Sequence, residues 1–323
     1  MNPKISIIVP LYNKVNEVER AIDSIFAQTI QDFELIIVDG GSTDGSLDII
    51  KKYENDSRYH LIHQVSKGVS SGRNEGISIA KTDIIAFLDA DDEWLPDFLE
   101  QILTMRTHYP NAGLYGTAYI PTYDLKSQTL PLCEIQSSPW VGIMPSYFRS
   151  TALARCPPFS SSCVAIPKST FEHIGGFNPS QRMGEDTELW GRIALKYPIA
   201  YTSKPCAKYH WIANAKATDT YIPILHHPFF TYIQQLPQYE LEQYDKQEDL
   251  RLYLEYEELN MAYINLIAGN KEYLKGNLSY VKLNEFQKRK RLFVFLSILP
   301  RSLEKYIPRI KRLTLDKMRC LLS

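Results

Sequence analysis

Ile84-Ile85-Ala86-Phe87-Leu88-Asp89-Ala90-Asp91-Asp92-Glu93-Trp94-Leu95-Pro96 decides how the rest of the chain is read. An apolar run with no charge to show solvent ends in three carboxylates within four residues. Such a run reads as a strand buried on both faces, the habit of parallel sheets covered by helices. Side chains alternate along a strand, so Asp89 and Asp91 leave its end on one side, with the small Ala90 between them. Two oxygen-rich carboxylates so placed suit a hard divalent cation that also grips a substrate diphosphate. The plainer alternative is that the aspartates only cap a following helix, since Asp is common in turns. Trp94-Leu95-Pro96 is expected to open that helix, with Pro96 in its first turn.

Upstream, strands and helices alternate. Ile5 to Val9 reads as a buried strand that stops at Pro10-Leu11-Tyr12-Asn13, and Val15, Val18, Ile22, Ile25 and Phe26 follow at helical spacing. Phe33 to Val38 is a second strand, ending in Asp39-Gly40-Gly41-Ser42-Thr43-Asp44-Gly45-Ser46. A third strand near Tyr59 to His63 leads to Lys67-Gly68-Val69-Ser70-Ser71-Gly72-Arg73-Asn74-Glu75-Gly76, and a helix through Ile77 to Ala80 returns to the aspartate-ended strand. Alternating units imply a parallel sheet whose right-handed crossovers bring every strand C-terminus to one edge, where ligands bind. Asn13, Asp39 and Asp89 therefore converge on one crevice. No GxxxxGK[ST] is present, and no GxGxxG follows the first strand, which excludes a P-loop and argues against a dinucleotide oxidoreductase.

These motifs resemble family 2 glycosyltransferases of the GT-A fold. The residues that carry the resemblance are Ser6 to Asn13, Ile37 to Gly45, Gly72 to Gly76 and Phe87 to Asp92, in order and correctly spaced. The likeness covers about residues 3 to 215 and is dense up to 97. It implies an α/β fold with a Rossmann-like, mostly parallel sheet flanked by helices. It also implies a donor site of Pro10, Tyr12, Asn13, Asp39, Lys67, Arg73, Asp89 and Ala90. In the family pattern Pro10, Tyr12 and Asp39 meet a pyrimidine base, Arg73 lies near the nucleotide diphosphate, and Asp89 faces the ribose. Asp89, Asp91 and His210 are the implied metal ligands, for Mn2+ or Mg2+. One departure is Gly40, where the family more often carries a second Asp.

From Leu114 to Ile120 another strand is expected, and from Tyr123 to Pro158 the pattern dissolves into Pro, Ser and aromatic residues, among them Trp140, Tyr147 and Phe148. We read that stretch as part of an acceptor-site wall or lid. Pro167 to Ile174 looks helical and stops at Gly175-Gly176. The next helix carries Leu189, Trp190, Ile193 and Ala194 on one face and Glu185 and Asp186 in its first turn. Acids there complement the helix dipole in any case. The resemblance goes further: GGF, then Glu-Asp with Arg192 six residues on, matches the family's catalytic-base segment, with Asp186 as the base and Glu185 its neighbour. A positioned carboxylate can take the proton from an attacking sugar hydroxyl. Inversion at the anomeric carbon is also implied by the resemblance.

Residues 1–220 are thus expected to form the catalytic domain, split near 97 into donor and acceptor halves. Residues 221–323 would be a helical extension, with a long helix through Leu250 to Leu266 and a second from Tyr273 to Phe286. From Glu285 onward there are eleven Lys or Arg against three acids. Lys288 to Arg291, followed by Leu292, Phe293, Phe295, Leu296 and Leu299, fits an interfacial helix on an anionic membrane surface. The whole chain of 323 residues is nearly neutral, with net charge −1, so no global field recruits nucleic acid. Cys133, Cys156, Cys163, Cys206 and Cys320 show no CxxC spacing, and neither a leader nor a membrane span is legible. A cytoplasmic protein, peripheral at the membrane, is expected. The leading expectation is a metal-dependent, inverting glycosyltransferase of the hexosyltransferase type. It would use a nucleotide-diphosphate sugar, UDP-linked, and a glycan or lipid-linked acceptor in cell-surface polysaccharide or lipopolysaccharide synthesis. The alternative is a non-catalytic nucleotide-sugar-binding or scaffold protein of the same fold.

Overall fold

The computed structural model describes residues 3–122, 139–210 and 223–298. The chain divides into two compact units, Met1–Lys216 and Ala217–Ser323. The first opens with β1 (Ile5–Leu11), α1 (Val18–Phe26), β2 (Phe33–Asp39), α2 (Ser46–Ile50), β3 (Tyr59–His63), α3 (Val69–Ile79) and β4 (Ile84–Phe87). It continues through β5 (Glu93–Trp94), α4 (Phe98–His108), β6 (Leu114–Pro121), β7 (Val141–Ile143), α5 (Tyr147–Ala154), β8 (Val164–Pro167), α6 (Lys168–Ile174), α7 (Glu185–Lys196) and β9 (Ile199–Tyr209).

The sheet runs β3-β2-β1-β4-β8-β6-β9-β5, with β7 paired to β9. The half β3-β2-β1-β4 is parallel throughout. Ile5, Ile7, Ile8, Val9 and Ile84 to Leu88 are fully buried, as expected of strands covered on both faces. Antiparallel pairs enter at β8, which joins β4 to β6. Parallel pairing resumes between β6 and β9, broken by register shifts near Thr117, Ala118 and Tyr119.

Three expectations need correction. Trp94 does not open a helix. Glu93–Trp94 pairs antiparallel with Lys208 and Ala207, and α4 starts only at Phe98, so Pro96 lies before it. The helix expected through Ile77 to Ala80 begins earlier, so the glycine- and serine-rich stretch after Gly68 is helical: α3 begins at Val69 and ends at Ile79. Its buried face is Ser70, Ser71, Gly72, Arg73 and Gly76, small residues apart from Arg73, which let the helix axis lie close to the sheet. A Cβ at Gly76 would meet Ile8 Cγ2 at 2.7 Å. Finally, residues 139–158 contain β7 and α5, while 123–138 lie outside the described residues. Tyr147 and Phe148 are core, with Tyr147 stacked on Phe159 at 5.8 Å, because α5 turns its aromatic residues inward. They form no acceptor wall.

The second unit holds α8 (Pro228–Gln235), α9 (Gln238–Glu242), α10 (Gln247–Ile267), α11 (Lys271–Tyr280) and α12 (Gln287–Ser297). A polar cluster is buried among its apolar core residues. Glu258, fully buried, accepts from His226 Nδ1 at 2.9 Å and Asn277 Nδ2 at 2.9 Å, and from the His227 backbone N–H at 3.3 Å. Asn265 donates to Asn277 Oδ1 and to the carbonyl of Ile224. No described helix is long and apolar enough to cross a membrane.

Candidate active site

The residues expected at the site lie beyond the C-terminal ends of β1, β2 and β4, and one helix ties several of them together. Each residue of Gly72-Arg73-Asn74-Glu75-Gly76 has a separate task on α3. Gly72 leaves room for the Gln64 carboxamide, whose oxygen would stand 3.0 Å from a Cβ there. Glu75 accepts the backbone N–H groups of Val65 and Ser66, fixing the turn before the helix. Asn74 donates to the carbonyl of Phe177 at 2.7 Å and accepts its N–H at 2.9 Å. Gly176 must be glycine beside it, since a Cβ would fall 2.3 Å from Asn74 Oδ1.

Arg73 is the centre. It is 3 % exposed, donates to Asp89 Oδ1 at 2.7 Å and to Glu185 Oε1 at 3.1 Å, and sits 5.1 Å from the Phe177 ring centroid. Burial works against its charge, and the carboxylates of Asp89 and Glu185 more than offset that, so the guanidinium stays charged. One side chain thus ties the strand-end aspartate to the first turn of α7. Asp186, next in sequence, is pushed up to about 7. Desolvation is the main cause and the Glu185 charge adds to it, while Arg73 and the Thr187 N–H pull the other way. Arg192 holds this segment from behind, bonding Glu188 through two nitrogens and the carbonyls of Ile174 and Gly176.

The other sites predicted from sequence are placed as follows. Asp39, 2 % exposed, accepts the N–H groups of Gly41 and Ser42, and His63 Nδ1 lies 3.5 Å from it. Tyr12 is 62 % exposed just past β1, beyond Pro10. Asn13 takes a left-handed conformation (φ +51°), accepting from the Thr43 N–H while its own N–H donates to Ser42 Oγ. Lys67 is exposed in the turn before α3, and Ala90 is buried. Asp91 pairs with Lys14 Nζ at 2.9 Å, and its carbonyl accepts from Arg20.

Among the described residues, no three His, Cys, Asp or Glu side chains gather closely enough to hold a metal by themselves. His210 does not join Asp89 and Asp91: its ring lies 3.4 Å from Glu93 and 3.3 Å from Thr122 Oγ1. Burial and the nearby Arg20 lower its basicity. The carboxylates at the strand end nevertheless fit a magnesium-like ion, which takes one or two carboxylates and completes its shell with substrate phosphates and water.

Two residues escaped the sequence reading. Asp92, 1 % exposed, accepts from Ser162 Oγ at 2.6 Å and from the His210 N–H at 2.9 Å. Burial and the charges of Asp89 and Asp91 push it up to about 8. Ser162 Oγ also accepts the Asp89 N–H, and its carbonyl accepts from Trp94 Nε1. Together they set the path of the Asp89–Asp91 turn. The third carboxylate in the run was the available signal for Asp92; Ser162 had none, being 70 residues away.

The family model for Glycosyl transferase family 2 matches residues 6–173, more than half the chain. The chain belongs to that family. Its relatives include YibD, an uncharacterized glycosyltransferase of Escherichia coli K12, 43% identical over 103 residues. That match covers 32% of this chain and 30% of YibD. An uncharacterized glycosyltransferase of Nostoc sp. is 29% identical over 204 residues, 62% of this chain and 61% of the relative. The chain therefore spans less than two thirds of the length of either. Among solved structures, S. aureus TarS in complex with UDP-GlcNAc superposes with a TM-score of 0.63 at 17% identity, covering 95% of this chain and 87% of that one. The Pyrobaculum calidifontis mannosyltransferase PcManGT, in complex with GDP-Man and Mn2+, gives 0.58 at 16% identity, over 97% and 88%. At such identities the likeness is one of fold.

Proposed function

We propose that the protein is an inverting, metal-dependent glycosyltransferase. It moves a hexosyl group from a nucleotide-diphosphate sugar, UDP-linked, to a hydroxyl of a glycan or lipid-linked acceptor at the membrane surface, in cell-surface polysaccharide or lipopolysaccharide synthesis. The observation that carries this reading is Arg73, which couples the donor-side Asp89 to the acid-side Glu185. Solved neighbours of the same fold holding UDP-GlcNAc or GDP-Man with Mn2+ support the donor class.

The acceptor hydroxyl oxygen forms the new bond to the anomeric carbon as the bond to the diphosphate oxygen breaks. Asp186, its carboxyl raised to about 7, takes the hydroxyl proton; a base poised near neutral pH suits that step. Asp89 and Asp91 would hold the divalent cation, Mn2+ or Mg2+, which when bound supplies charge neutralisation to the departing nucleotide diphosphate. Arg73 keeps Asp89 oriented and favours the ionised form of Asp186. Tyr12 and Asp39, at the ends of neighbouring strands, are the base contacts of this reading.

The test is a donor-hydrolysis screen across nucleotide sugars with Mn2+ or Mg2+, repeated on Asp91→Asn. The expected outcome is hydrolysis of a UDP-sugar that the variant loses together with metal-dependent UDP affinity. UDP affinity in Mn2+ that is unchanged by Asp91→Asn sinks the metal assignment.

A further inference from the structure

The helix α12 presents two unlike faces. Inward, Phe293 and Leu296 are buried, and the Phe293 ring lies 5.9 Å from that of Tyr263 on α10. Lys290 Nζ is spent on the carbonyl of Val281 at 2.6 Å, and Arg289 lies over the Phe293 ring. These contacts take Phe293 and Leu296 out of the apolar set that the sequence offered for a membrane, and they anchor the helix within its own unit.

Outward, a different set emerges. Ile298 is 72 % exposed, Phe295 56 % and Val294 48 %, while Lys288 and Arg291 are exposed beside them. At 100° per residue these five side chains fall within an arc of about 120°. Three large apolar groups held in water on one short arc mark a surface that meets something. The charge indicates what. The helix Gln287–Ser297 carries four cations and no carboxylate. In the sequence beyond it, residues 299–323 add seven Lys or Arg against two acids. The complementary surface is apolar within and anionic at its boundary.

We propose that α12 lies flat on a bilayer rich in anionic lipid, with Val294, Phe295 and Ile298 at the acyl boundary and Lys288 and Arg291 among the headgroup phosphates. The inference rests on the lipid-linked acceptor of the proposed function and names the surface by which the protein reaches it. Each cation contributes about a five-fold change in partitioning, weakened by salt. The apolar trio together contributes on the order of a hundred-fold.

The experiment is flotation of the full-length protein with phosphatidylcholine vesicles, with and without phosphatidylglycerol, scored beside donor hydrolysis in the same samples. Expected are co-flotation only with the anionic lipid, release by high salt, and at least ten-fold weaker binding of the Val294→Ser, Phe295→Ser, Ile298→Ser variant. Donor hydrolysis should be unchanged in that variant. In Phe295→Trp, vesicles should shift the added indole emission to the blue, a readout that does not depend on loss of binding. Equal flotation of the triple variant overturns the proposal, as does an indole emission that vesicles leave unshifted. So does loss of self-association in the triple variant with vesicle binding intact, which would make the face an interface between copies. Vesicle binding without any donor hydrolysis in the parent protein would instead remove the proposed activity and leave the docking surface standing.

Discussion

The two units differ in the partners that stand beside their buried and half-buried carboxylates. In the first, the buried Asp39 and Asp92 accept from N–H and hydroxyl groups, but the half-buried Asp89, Glu185 and Asp91 meet Arg73 and Lys14, so there charge is set against charge. In the second, Glu258 is satisfied by His226, Asn277 and a backbone N–H. Glu255 accepts the N–H groups of Lys282 and Leu283, with the largely exposed Arg251 alongside. Hydrogen-bond donors of that kind fix a shape. Paired charges can be re-partnered when an anionic substrate enters. The difference separates a crevice built to do chemistry from a core built to hold helices in register.

The comparison breaks most sharply at Asp186. Asp186→Asn is expected to lower turnover by about two to four orders of magnitude, with donor affinity little changed. Steady-state kinetics beside a UDP titration checks this. If Glu185→Gln proves the more damaging change, the roles of the two acids are reversed.

Next comes Arg73→Met. It leaves two carboxylates without their shared cation, and breaking a buried pair costs about 3–5 kcal/mol, read as a lowered unfolding free energy. Because Arg73 pulls Asp186 downward, its removal raises that carboxyl further. The base is active only when ionised, so the acid limb of the rate profile, expected near pH 7 in the parent, should move to higher pH. A limb that stays in place separates Arg73 from the base.

In the second unit the expected effect is on stability alone. Burial pushes Glu257 up to about 7, so the folded state holds a proton that the unfolded chain has released above its ordinary value. Stability from this group is full below the unfolded value and is lost as pH rises toward 7, by on the order of 3 kcal/mol. Glu257→Gln should flatten that slope in pH-dependent denaturation while donor turnover per folded molecule stays constant.

The smallest effect sharpens the geometry. Gly176→Ala drives a Cβ against Asn74 Oδ1 and should cost about 1–3 kcal/mol. Adding Asn74→Ala should return part of it, so the two changes should be non-additive in a double-mutant cycle.

The first strands were legible because buried apolar runs and polar residues contrast in one dimension: Ile5–Leu11, Phe33–Asp39 and Ile84–Phe87 stand where the apolar runs put them. The start of α3 was hidden, since Ser70, Ser71 and Gly72 are weak helix formers whose burial comes from close packing. β9 was missed because Ser203, Lys204 and Pro205 interrupt its alternation where its register with β6 shifts. The individual residues Glu185, Arg73 and Asp89 were nameable, but their shared contact was not. A bond between residues 73 and 185 leaves no local trace.

The Asn74–Phe177 clamp also orders events in time. Its partners are 103 residues apart, while the parallel strands around Asn74 all lie within the chain up to Phe87. At roughly 5–20 residues per second, a ribosome delivers Phe177 about 5–20 seconds after Asn74. Throughout that interval α3 carries a carboxamide and a guanidinium with neither Phe177 nor Glu185 yet made. The nascent parallel half of the sheet then has its polar edge open, and arrival of the GGF segment is what closes the contacts of Asn74 and Arg73.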